Sequence, residues 1–334
     1  MTHVAPDGAR GELERRSYKH SAPPGLTAYC HLPIAVRMFF SDSYKAMRRG
    51  ERALAVRYFV ISVLVIALIG LPVGFFMLRR FEASVIFHPE RAALGGVWRV
   101  PTGAEEVWFR NADGQRLYGW YFRSTAQPAR ATVVYAHGNG GNVSYCDWVG
   151  AELAARGFDV LLFDYRGYGR SEGEAAGEGG LYADAEAAYD FVTKERGVPA
   201  GRVVLYGQSL GTAAVADVAA RRECGALVLE SGLSSAGDMA AVVMPWLPRF
   251  VSGLTKNKLD TVSKLPRVKC PVLVVHGDRD EVIPAAQGRR LFDAGPEPKR
   301  LLVIEGAGHN DLSIVGGGKY IDTLAEFVRS SIHQ

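Results

Sequence analysis

The chain has 334 residues, more than one small hydrophobic core needs, and its hydrophobic content of 48% and charged content of 22% are typical of a globular protein. Its net charge of +4 is too small for the basic stripe of a nucleic-acid-binding protein. The four cysteines are widely spaced, without CxxC or CxxxH patterns, which argues against a zinc site and against a disulfide framework. Cys224 and Cys270 each precede an apolar run, as small buried side chains do.

Residues 1–57 are predicted to be a disordered or cytoplasmic N-terminal tail. The first 46 residues carry four prolines and show no hydrophobic periodicity, so they predict no packed element. The stretch MRRGERALAVR, which begins at Met47, is typical of the start of a membrane-anchored protein. Met47 is therefore a second candidate start site, beside Met1.

Residues 58–78, YFVISVLVIALIGLPVGFFML, contain no charged side chain and predict a transmembrane helix. A helix of about 21 residues spans roughly 31 Å, about the thickness of the hydrocarbon core of a bilayer. The run is long for a signal peptide, and Arg79 and Arg80 follow it instead of an AxA cleavage site, so we expect an uncleaved anchor. Pro72 lies between two glycines and predicts a kink.

The basic residues that flank this span predict its orientation. Five precede it closely and three follow it: Lys45, Arg48, Arg49, Arg52 and Arg57, then Arg79, Arg80 and Arg91. Because cytoplasmic flanks carry the excess of basic residues, we expect a cytoplasmic N-terminus. The long C-terminal part is then expected on the outer side, in the periplasm or another extracytoplasmic space.

After a predicted juxtamembrane linker at 79–104, residues 105–334 alternate short apolar runs with helical patterns. The runs EEVWFR and QRLYGWYFR flank the turn signal NADG and predict an antiparallel hairpin. Later runs such as ATVVYAHG, RVVLYG and CPVLVVHGD are apolar throughout, as strands of a parallel sheet covered by helices on both faces are. The pattern predicts one α/β domain whose central sheet is mostly parallel. Such sheets bind ligands at the carboxyl ends of their strands.

Residues 207–211 read GQSLG and fit the GxSxG motif, directly after an apolar run and directly before a helical pattern. A tight strand-to-helix turn would lift the Ser209 hydroxyl clear of the backbone, where it could act as a nucleophile. A serine at this place could also simply cap the helix. Because a serine hydroxyl reacts only when a base takes its proton, the nucleophile hypothesis requires a histidine and an acid elsewhere in the chain.

The predicted base is His309, in the loop EGAGHND that follows the run RLLVI. Enzymes with this motif place serine, acid and histidine in that chain order, and the other candidate, His333, is the penultimate residue. The acid must orient the imidazole from a strand end, and both Asp278 and Asp280 follow the run VLVVHG. We predict Asp280 as the acid and expect the other aspartate to bind loop amides.

The backbone N–H of Leu210, at the start of the helix, is one predicted donor to an oxyanion. The second is the N–H of Asn139 in the glycine-rich loop HGNGGN, which follows the run ATVVYA. His137 and His276 also lie at the ends of apolar runs, each before a glycine, and we expect them to hold loops in place by hydrogen bonds. This chemistry requires no metal and no cofactor.

Residues 236–269 form a predicted short lid. Its stretch MAAVVMPWLPRFVSG is apolar and includes Trp246 and Phe250. These side chains could pack as an ordinary helix face or could form a wall that binds an acyl chain. Trp246 and Phe250 are the candidate substrate-binding residues.

These motifs together resemble the α/β-hydrolase superfamily. Within it the chain is similar to the membrane-anchored α/β-hydrolase-domain proteins close to the serine aminopeptidase and monoacylglycerol-lipase-like groups. The resemblance spans about residues 80–330 and rests on VIFHP, HGNGGN, FDYRGYGRSEG, YGQSLG, LES, MPWLP, PVLVVHGDRDEVIP and GAGHND. It implies the α/β-hydrolase fold and a triad of Ser209, Asp280 and His309.

The resemblance implies a serine hydrolase, most simply a carboxylic ester hydrolase, that acts through an acyl-enzyme on a small-molecule or lipid-like substrate. Relatives include esterases, lipases, thioesterases and peptidases, so ester, thioester and amide bonds all remain candidates. The relatives that remove palmitate carry a cysteine-rich N-terminus and no membrane span, so that activity is not expected here. The alternatives are a non-catalytic binding protein on the same fold, a serine peptidase, and a cofactor-free haloperoxidase with the same triad. The sequence gives no indication of the oligomeric state.

Overall fold

A computed structural model describes Lys45 and residues 52–175, 177–246 and 255–332, with only the backbone at 78 and 79. Most of the predicted tail, the candidate start Met47 and the candidate binding residue Phe250 lie outside the described residues. The chain divides into two compact units, Met1–Phe76 and Met77–Gln334.

One helix, α1, runs over Arg52–Ile86, which makes it longer at both ends than the predicted span. Its extension into the predicted linker has a simple reason: the stretch RRFEASVI is charged at its start, but it contains no residue that breaks a helix. Among the described helices, α1 alone is long and apolar enough to cross a membrane, with a mean hydropathy of 2.7 over its most apolar window. Within Met1–Phe76 its large apolar side chains, such as Leu68, are exposed.

Pro72 has no backbone N–H to donate, and the backbone hydrogen bonds of α1 change register in the turn before it. Ile66–Gly70 forms a π-helical turn, in which the N–H of Leu71 donates to the carbonyl of Ile66. A proline removes one i to i−4 bond, and a π turn is one of the recognised ways in which a helix absorbs that loss. The predicted irregularity thus lies in the turn just before the proline.

The unit Met77–Gln334 alternates strands with helices. Its eight strands are β1 Ala104–Arg110, β2 Arg116–Phe122, β3 Thr132–Ala136, β4 Asp159–Phe163, β5 Val203–Gln208, β6 Ala226–Glu230, β7 Val272–Gly277 and β8 Lys299–Ile304. The helices are α2 Asp147–Ala155, α3 Glu178–Asp190, α4 Leu210–Ala219, α5 Ala236–Val243, α6 Ala285–Ala294 and α7 Leu312–Ser331. Of the predicted lid at 236–269, α5 forms the first part, and residues 247–254 lie outside the described residues.

The strands form one eight-stranded sheet in the order β1-β2-β4-β3-β5-β6-β7-β8. β1 and β2 form the predicted antiparallel hairpin, β2 pairs antiparallel with β4, and all the later pairs are parallel. At the hairpin turn the Asn111 side chain accepts hydrogen bonds from the N–H groups of Asp113 and Gln115. This local Asx turn explains how NADG sets the hairpin.

Both faces of the sheet are buried. Along β5, Val203 and Leu205 belong to one apolar cluster, while Val204 and Tyr206 belong to the cluster on the other face. Strands buried on both sides read as continuous apolar runs, and this is the pattern from which the fold was predicted. The α/β-hydrolase fold class is confirmed. Because the carboxyl ends of parallel strands meet at one edge, the loops after β3, β5, β7 and β8 converge there.

Candidate active site

Ser209 occupies the turn between β5 and α4 in a backbone conformation that few side chains adopt. Its φ is 51° and its ψ is −116°, and its N–H donates to the carbonyl of Glu230 at 2.8 Å. A non-glycine residue at positive φ costs of order 1–3 kcal/mol and persists only where its surroundings enforce it. The turn presents the Ser209 side chain at the carboxyl edge of the sheet, as the GxSxG motif predicts.

The glycines on either side of Ser209 are required by close backbone approach. A Cβ on Gly207 would lie 2.5 Å from the carbonyl carbon of Gly211, and a Cβ on Gly211 would lie 2.0 Å from the carbonyl oxygen of Ala136. Neither neighbour is a flexible side chain, so neither could yield easily. The first turn of α4 can therefore pack against the end of β3 only without side chains at these positions.

The structure brings the three predicted catalytic residues together. His309 Nε2 lies 3.0 Å from Ser209 Oγ, and His309 Nδ1 lies 2.8 Å from Asp280 Oδ2. Asp280 and His309 are both buried. Serine, imidazole and carboxylate thus form a continuous hydrogen-bonded chain that could move a proton from the hydroxyl to the imidazole.

The surroundings of Asp280 keep its carboxylate ionised. Burial by itself would raise its pKa, but hydrogen bonds from His276 and His309 and from the N–H of Ile283 lower that pKa well below the usual range. Asp280 Oδ1 accepts from the N–H groups of Val282 and Ile283 at 2.9 and 2.7 Å, which leaves Oδ2 for the imidazole.

Asp278, the alternative candidate acid, and His276 both make hydrogen bonds that hold loops in place. Asp278 Oδ1 accepts from the N–H of Gly306 at 2.6 Å, as a loop-amide ligand does. His276 Nε2 lies 2.8 Å from the carbonyl of Ile283 and 3.2 Å from Asp280 Oδ2. A Cβ on Gly288 would lie 2.4 Å from the His276 ring, so the absence of a side chain at Gly288 makes room for that ring.

The two predicted oxyanion donors lie in the segments that border Ser209. A Cβ on Gly138, the residue before Asn139, would lie 3.6 Å from Ser209 Cβ, which places the loop after β3 against the serine. Within the described residues, neither the N–H of Asn139 nor that of Leu210 donates to a protein acceptor.

Comparison with known proteins gives the same family. The sequence profile described as "Serine aminopeptidase, S33" matches residues 127–262 and 246–313. The uncharacterized protein Rv2307c of Mycobacterium tuberculosis is 34% identical over 266 residues, which cover 80% of this chain and 93% of that protein. The α/β-hydrolase domain-containing protein 17C of Mus musculus is 33% identical over 229 residues, 67% of this chain and 68% of that protein.

This chain belongs to the α/β-hydrolase superfamily, close to the serine aminopeptidase S33 group. The esterase PF2001 of Pyrococcus furiosus has the same fold, with a TM-score of 0.60 at 18% identity over 74% of this chain and 98% of that one. The family and these neighbours identify the chain as a hydrolase.

In this hydrolase, the Asn139 side chain connects the loop after β3 to the segment that follows α1. Its Nδ2 donates to the carbonyl of Ile86 at 2.6 Å, and its Oδ1 accepts from the N–H of His88 at 3.0 Å and from the hydroxyl of Tyr168 at 2.9 Å. The sequence suggested only a backbone role for Asn139. The motif VIFHP, which contains Ile86 and His88, was the available signal for this contact.

A second hydrolase feature that the sequence did not predict lies behind the same loop. His137 Nε2 and Asp164 Oδ1 lie 3.6 Å apart in a fully buried position, and His137 Nδ1 lies 2.7 Å from the carbonyl of Gly138. Burial raises the pKa of Asp164 to about 7, although the N–H groups of Val143 and Arg170 oppose this. Burial lowers the pKa of His137 to about 4. The two side chains are therefore a neutral pair between about pH 4 and 7.

The binding role of the two candidate substrate-binding residues stays a prediction. Trp246 is 76% exposed, and Phe250 lies outside the described residues. Several apolar side chains in the segments that follow β6, β7 and β8 are exposed, and the first two belong to the predicted apolar lid stretch: Val242, Val243, Val282, Ile314 and Val315. Within the described residues, no group of three or more His, Cys, Asp or Glu side chains is arranged to hold a metal ion.

The neutral pair predicts a pH dependence of stability that appears only when the pair is broken. Between about pH 4 and 6.5 the unfolded pair holds one proton on His137, and the folded pair holds one on Asp164, so folding takes up no net proton. In Asp164→Asn only His137 remains, and its lowered pKa makes stability rise with pH by about 1.4 kcal/mol per unit in this range.

The measurement is urea unfolding of the native chain, Asp164→Asn and Asp278→Asn at several pH values between about 4.5 and 6.5. Asp278→Asn is the matched control, because it removes a carboxylate that accepts from a loop amide. Equal slopes in Asp164→Asn and the native chain would contradict the neutral-pair assignment.

Proposed function

We propose that this chain is a membrane-anchored serine hydrolase that cleaves ester bonds of hydrophobic acyl substrates. Thioester and amide bonds are chemically related alternatives. The observation that carries the proposal is the hydrogen-bonded chain from Ser209 Oγ through His309 to Asp280, with distances of 3.0 and 2.8 Å. These are distances at which a base can take the proton of a nucleophile.

The proposed reaction begins when His309 Nε2 accepts the proton of Ser209 and the serine oxygen attacks the substrate carbonyl carbon. Asp280 accepts the Nδ1–H of His309 and stabilises the imidazolium. His309 then passes the proton to the leaving alkoxide, which departs as an alcohol and leaves an acyl ester on Ser209. A water molecule, deprotonated by His309, attacks this ester, releases the acid and returns the proton to Ser209.

The negative charge of each tetrahedral intermediate falls on the former carbonyl oxygen. The N–H groups of Leu210 and Asn139 are the proposed donors to it, and one such donor is typically worth about 3 kcal/mol of barrier. Leu210 is also the first residue of α4, so the helix dipole favours negative charge at this place. The side-chain contacts of Asn139 with Ile86 and His88 would hold its N–H in position.

The preference for hydrophobic substrates is inferred from exposed apolar side chains in the segments that follow the strands. Val243 is 68% exposed at the end of α5, and Ile314 is 80% exposed in the first turn of α7, five residues after His309. Exposed apolar side chains in loops and helices that follow the strands of such a sheet can form a binding surface for an apolar group. We propose that they contact the acyl chain.

The proposed membrane anchor is α1, which is long and apolar enough to cross a bilayer. The basic residues around it favour a cytoplasmic N-terminus and a hydrolase domain on the outer side. The substrate would then be met outside the cytoplasm, at or near the membrane surface.

The triad is tested by substitutions assayed with an aryl ester and a fluorophosphonate probe. We expect Ser209→Ala to lose both hydrolysis and labelling, because no other residue is proposed to form the covalent bond. Asp280→Asn should lower kcat by a factor on the order of 10³–10⁴, because the imidazole loses the carboxylate that orients it and stabilises its charge.

Asp278→Asn is the matched control for Asp280→Asn and should keep activity within a few-fold of the native chain. Labelling that survives in Ser209→Ala would refute the nucleophile assignment. A native chain that neither labels nor hydrolyses any ester would favour the non-catalytic alternative.

The acyl preference is tested with p-nitrophenyl esters of increasing chain length, together with an amide and a peracid-dependent halogenation assay. We expect a higher kcat/KM for octanoate than for acetate. Ile314→Ser should lower the octanoate value about 5-fold, the factor that corresponds to about 1 kcal/mol of lost apolar burial. The acetate value is the internal control and should not change. A native enzyme that prefers acetate, the amide or halogenation would overturn this part of the proposal.

The orientation is tested with two reporters fused to the C-terminus of the full chain. A reporter that is active only outside the cytoplasm should be active in cells, and one that is active only inside should be inactive. The opposite result would place the hydrolase domain in the cytoplasm.

A further inference from the structure

Two cysteines meet at the edge of the sheet opposite the candidate active site. Cys224 lies two residues before β6 and Cys270 two residues before β7, so both are at the amino ends of their strands. Their sulfur atoms are 2.9 Å apart, and both residues are buried. The residues are 46 positions apart in the chain. From the sequence, each was expected only to pack as a small buried side chain.

We propose that Cys224 and Cys270 are a modification site that forms a disulfide bond, which links the amino ends of β6 and β7. The inference does not depend on the proposed catalytic function, because no part of it involves Ser209, His309 or Asp280. It goes beyond the sequence expectation, which gives these two thiols only a packing role.

The backbone places the two residues within disulfide reach. β6 and β7 are adjacent and parallel, with Leu227 opposite Val272, and the N–H of Leu227 donates to the carbonyl of Pro271 at 2.9 Å. Continued to the preceding residues, this register places Cys270 opposite Gly225, the neighbour of Cys224. A strand spacing of about 4.8 Å combined with the rise of one residue, about 3.3 Å, gives a Cα separation of roughly 6 Å, within the range of roughly 4.4–6.8 Å that disulfides span. The bond therefore requires no rearrangement of the sheet.

The chemistry requires an external disulfide as the oxidant. A thiolate of one cysteine attacks the oxidant and releases one thiol, and the second cysteine then attacks the mixed disulfide and releases the other. Two cysteine thiols become one disulfide, and the oxidant is reduced to two thiols that carry the protons. Oxidised glutathione or a thiol–disulfide oxidoreductase can supply this step where the surroundings are oxidising.

A cavity of about 710 Å³ gives such an oxidant a route to the sulfur atoms. Cys224 and Cys270 both line it, together with the basic residues Arg202, Arg221, Arg222, Arg267 and Lys269. Arg221 and Arg222 also form ion pairs with acidic neighbours. The basic lining favours approach of an anionic disulfide such as oxidised glutathione.

The reduced pair reacts slowly once the chain has folded. The hydrogen bond with Cys270 and burial raise the pKa of the Cys224 thiol well above its usual value, so little thiolate is present. We therefore expect the bond to form most readily during folding, before the thiols are buried. After formation, burial would protect it from reductants.

The bond would close a loop that contains α5 and the whole predicted lid. The bond would join the residues before β6 to the residues before β7, on either side of the lid segment. It would therefore strongly restrict the conformations of the unfolded chain. A disulfide that closes a loop of this length raises the thermal midpoint of a domain of this size by roughly 10 °C. An outer location of the hydrolase domain would supply the oxidising conditions.

The experiment uses the full chain in detergent with the substitution Cys30→Ser, which removes a thiol outside the described residues. The reduced protein is unfolded in urea, and the urea is removed in the presence of oxidised glutathione at about pH 8.5, near the usual pKa of a thiol, until the thiol content is constant. Free thiols are then alkylated under denaturing conditions, and tryptic peptides are identified by mass spectrometry. Cys146, a half-buried cysteine, is the internal control.

We expect a linked pair of peptides, 223–249 and 270–279, and an alkylatable or glutathione-bound Cys146. The thermal midpoint of the oxidised protein should exceed that of the reduced protein by roughly 10 °C, and Cys224→Ala should abolish this difference. Because oxidised and reduced forms of one chain are compared, the test holds even if Cys224→Ala does not fold. Cys224 and Cys270 that remain alkylatable at constant thiol content, or that carry separate glutathione adducts, would overturn the proposal.

Discussion

The candidate site depends on one close contact, between the first turn of α4 and the end of β3. Gly211 passes the carbonyl oxygen of Ala136 so closely that a Cβ would lie 2.0 Å from it. This contact fixes the start of α4, and the hydrogen bond from the Ser209 N–H to Glu230 fixes the end of β5. Between these constraints Ser209 has no room to relax from its φ of 51°. The strain is stabilised by the packed sheet, and its consequence is a half-buried hydroxyl that lies beside His309.

Two buried aspartates near this contact show how hydrogen bonding decides the charge of a carboxyl group. Asp280 accepts from two backbone N–H groups and lies beside two histidines, and its pKa is lowered despite burial. Asp164 accepts from Val143 at 2.8 Å and from Arg170 only at 3.4 Å, and burial raises its pKa to about 7. The same side chain is thus an anion in one loop and a neutral acid in the other, because only one of them has enough donors to replace water.

The sequence was sufficient for the features that depend on local chemistry and chain order. The apolar runs indicated the parallel sheet, and GQSLG with VLVVHGDRD and GAGHND indicated which side chains would meet, including Asp280 in preference to Asp278. It was insufficient for contacts between segments that no motif connects. The pairing of His137 with Asp164 and of Cys224 with Cys270 depends on strand order, and neither residue pair has a spacing that signals contact. The predicted span ends at Leu78 because charged residues follow it. Charged residues end an apolar run but do not end a helix, and α1 continues to Ile86.

The segment after α1 is built into the carboxyl edge of the sheet, and it is not a loose linker. Ile86 and His88 contact Asn139, the carbonyl of Glu90 accepts from the N–H of Gly169, and the Glu90 side chain accepts from Tyr145. On the far side, Glu82 accepts from Asn257, where the chain returns from the lid. The last turns of α1 and the residues after it thus connect the loop of the proposed oxyanion donor with the base of the lid. The residues that lead into this domain are thus themselves part of the candidate site.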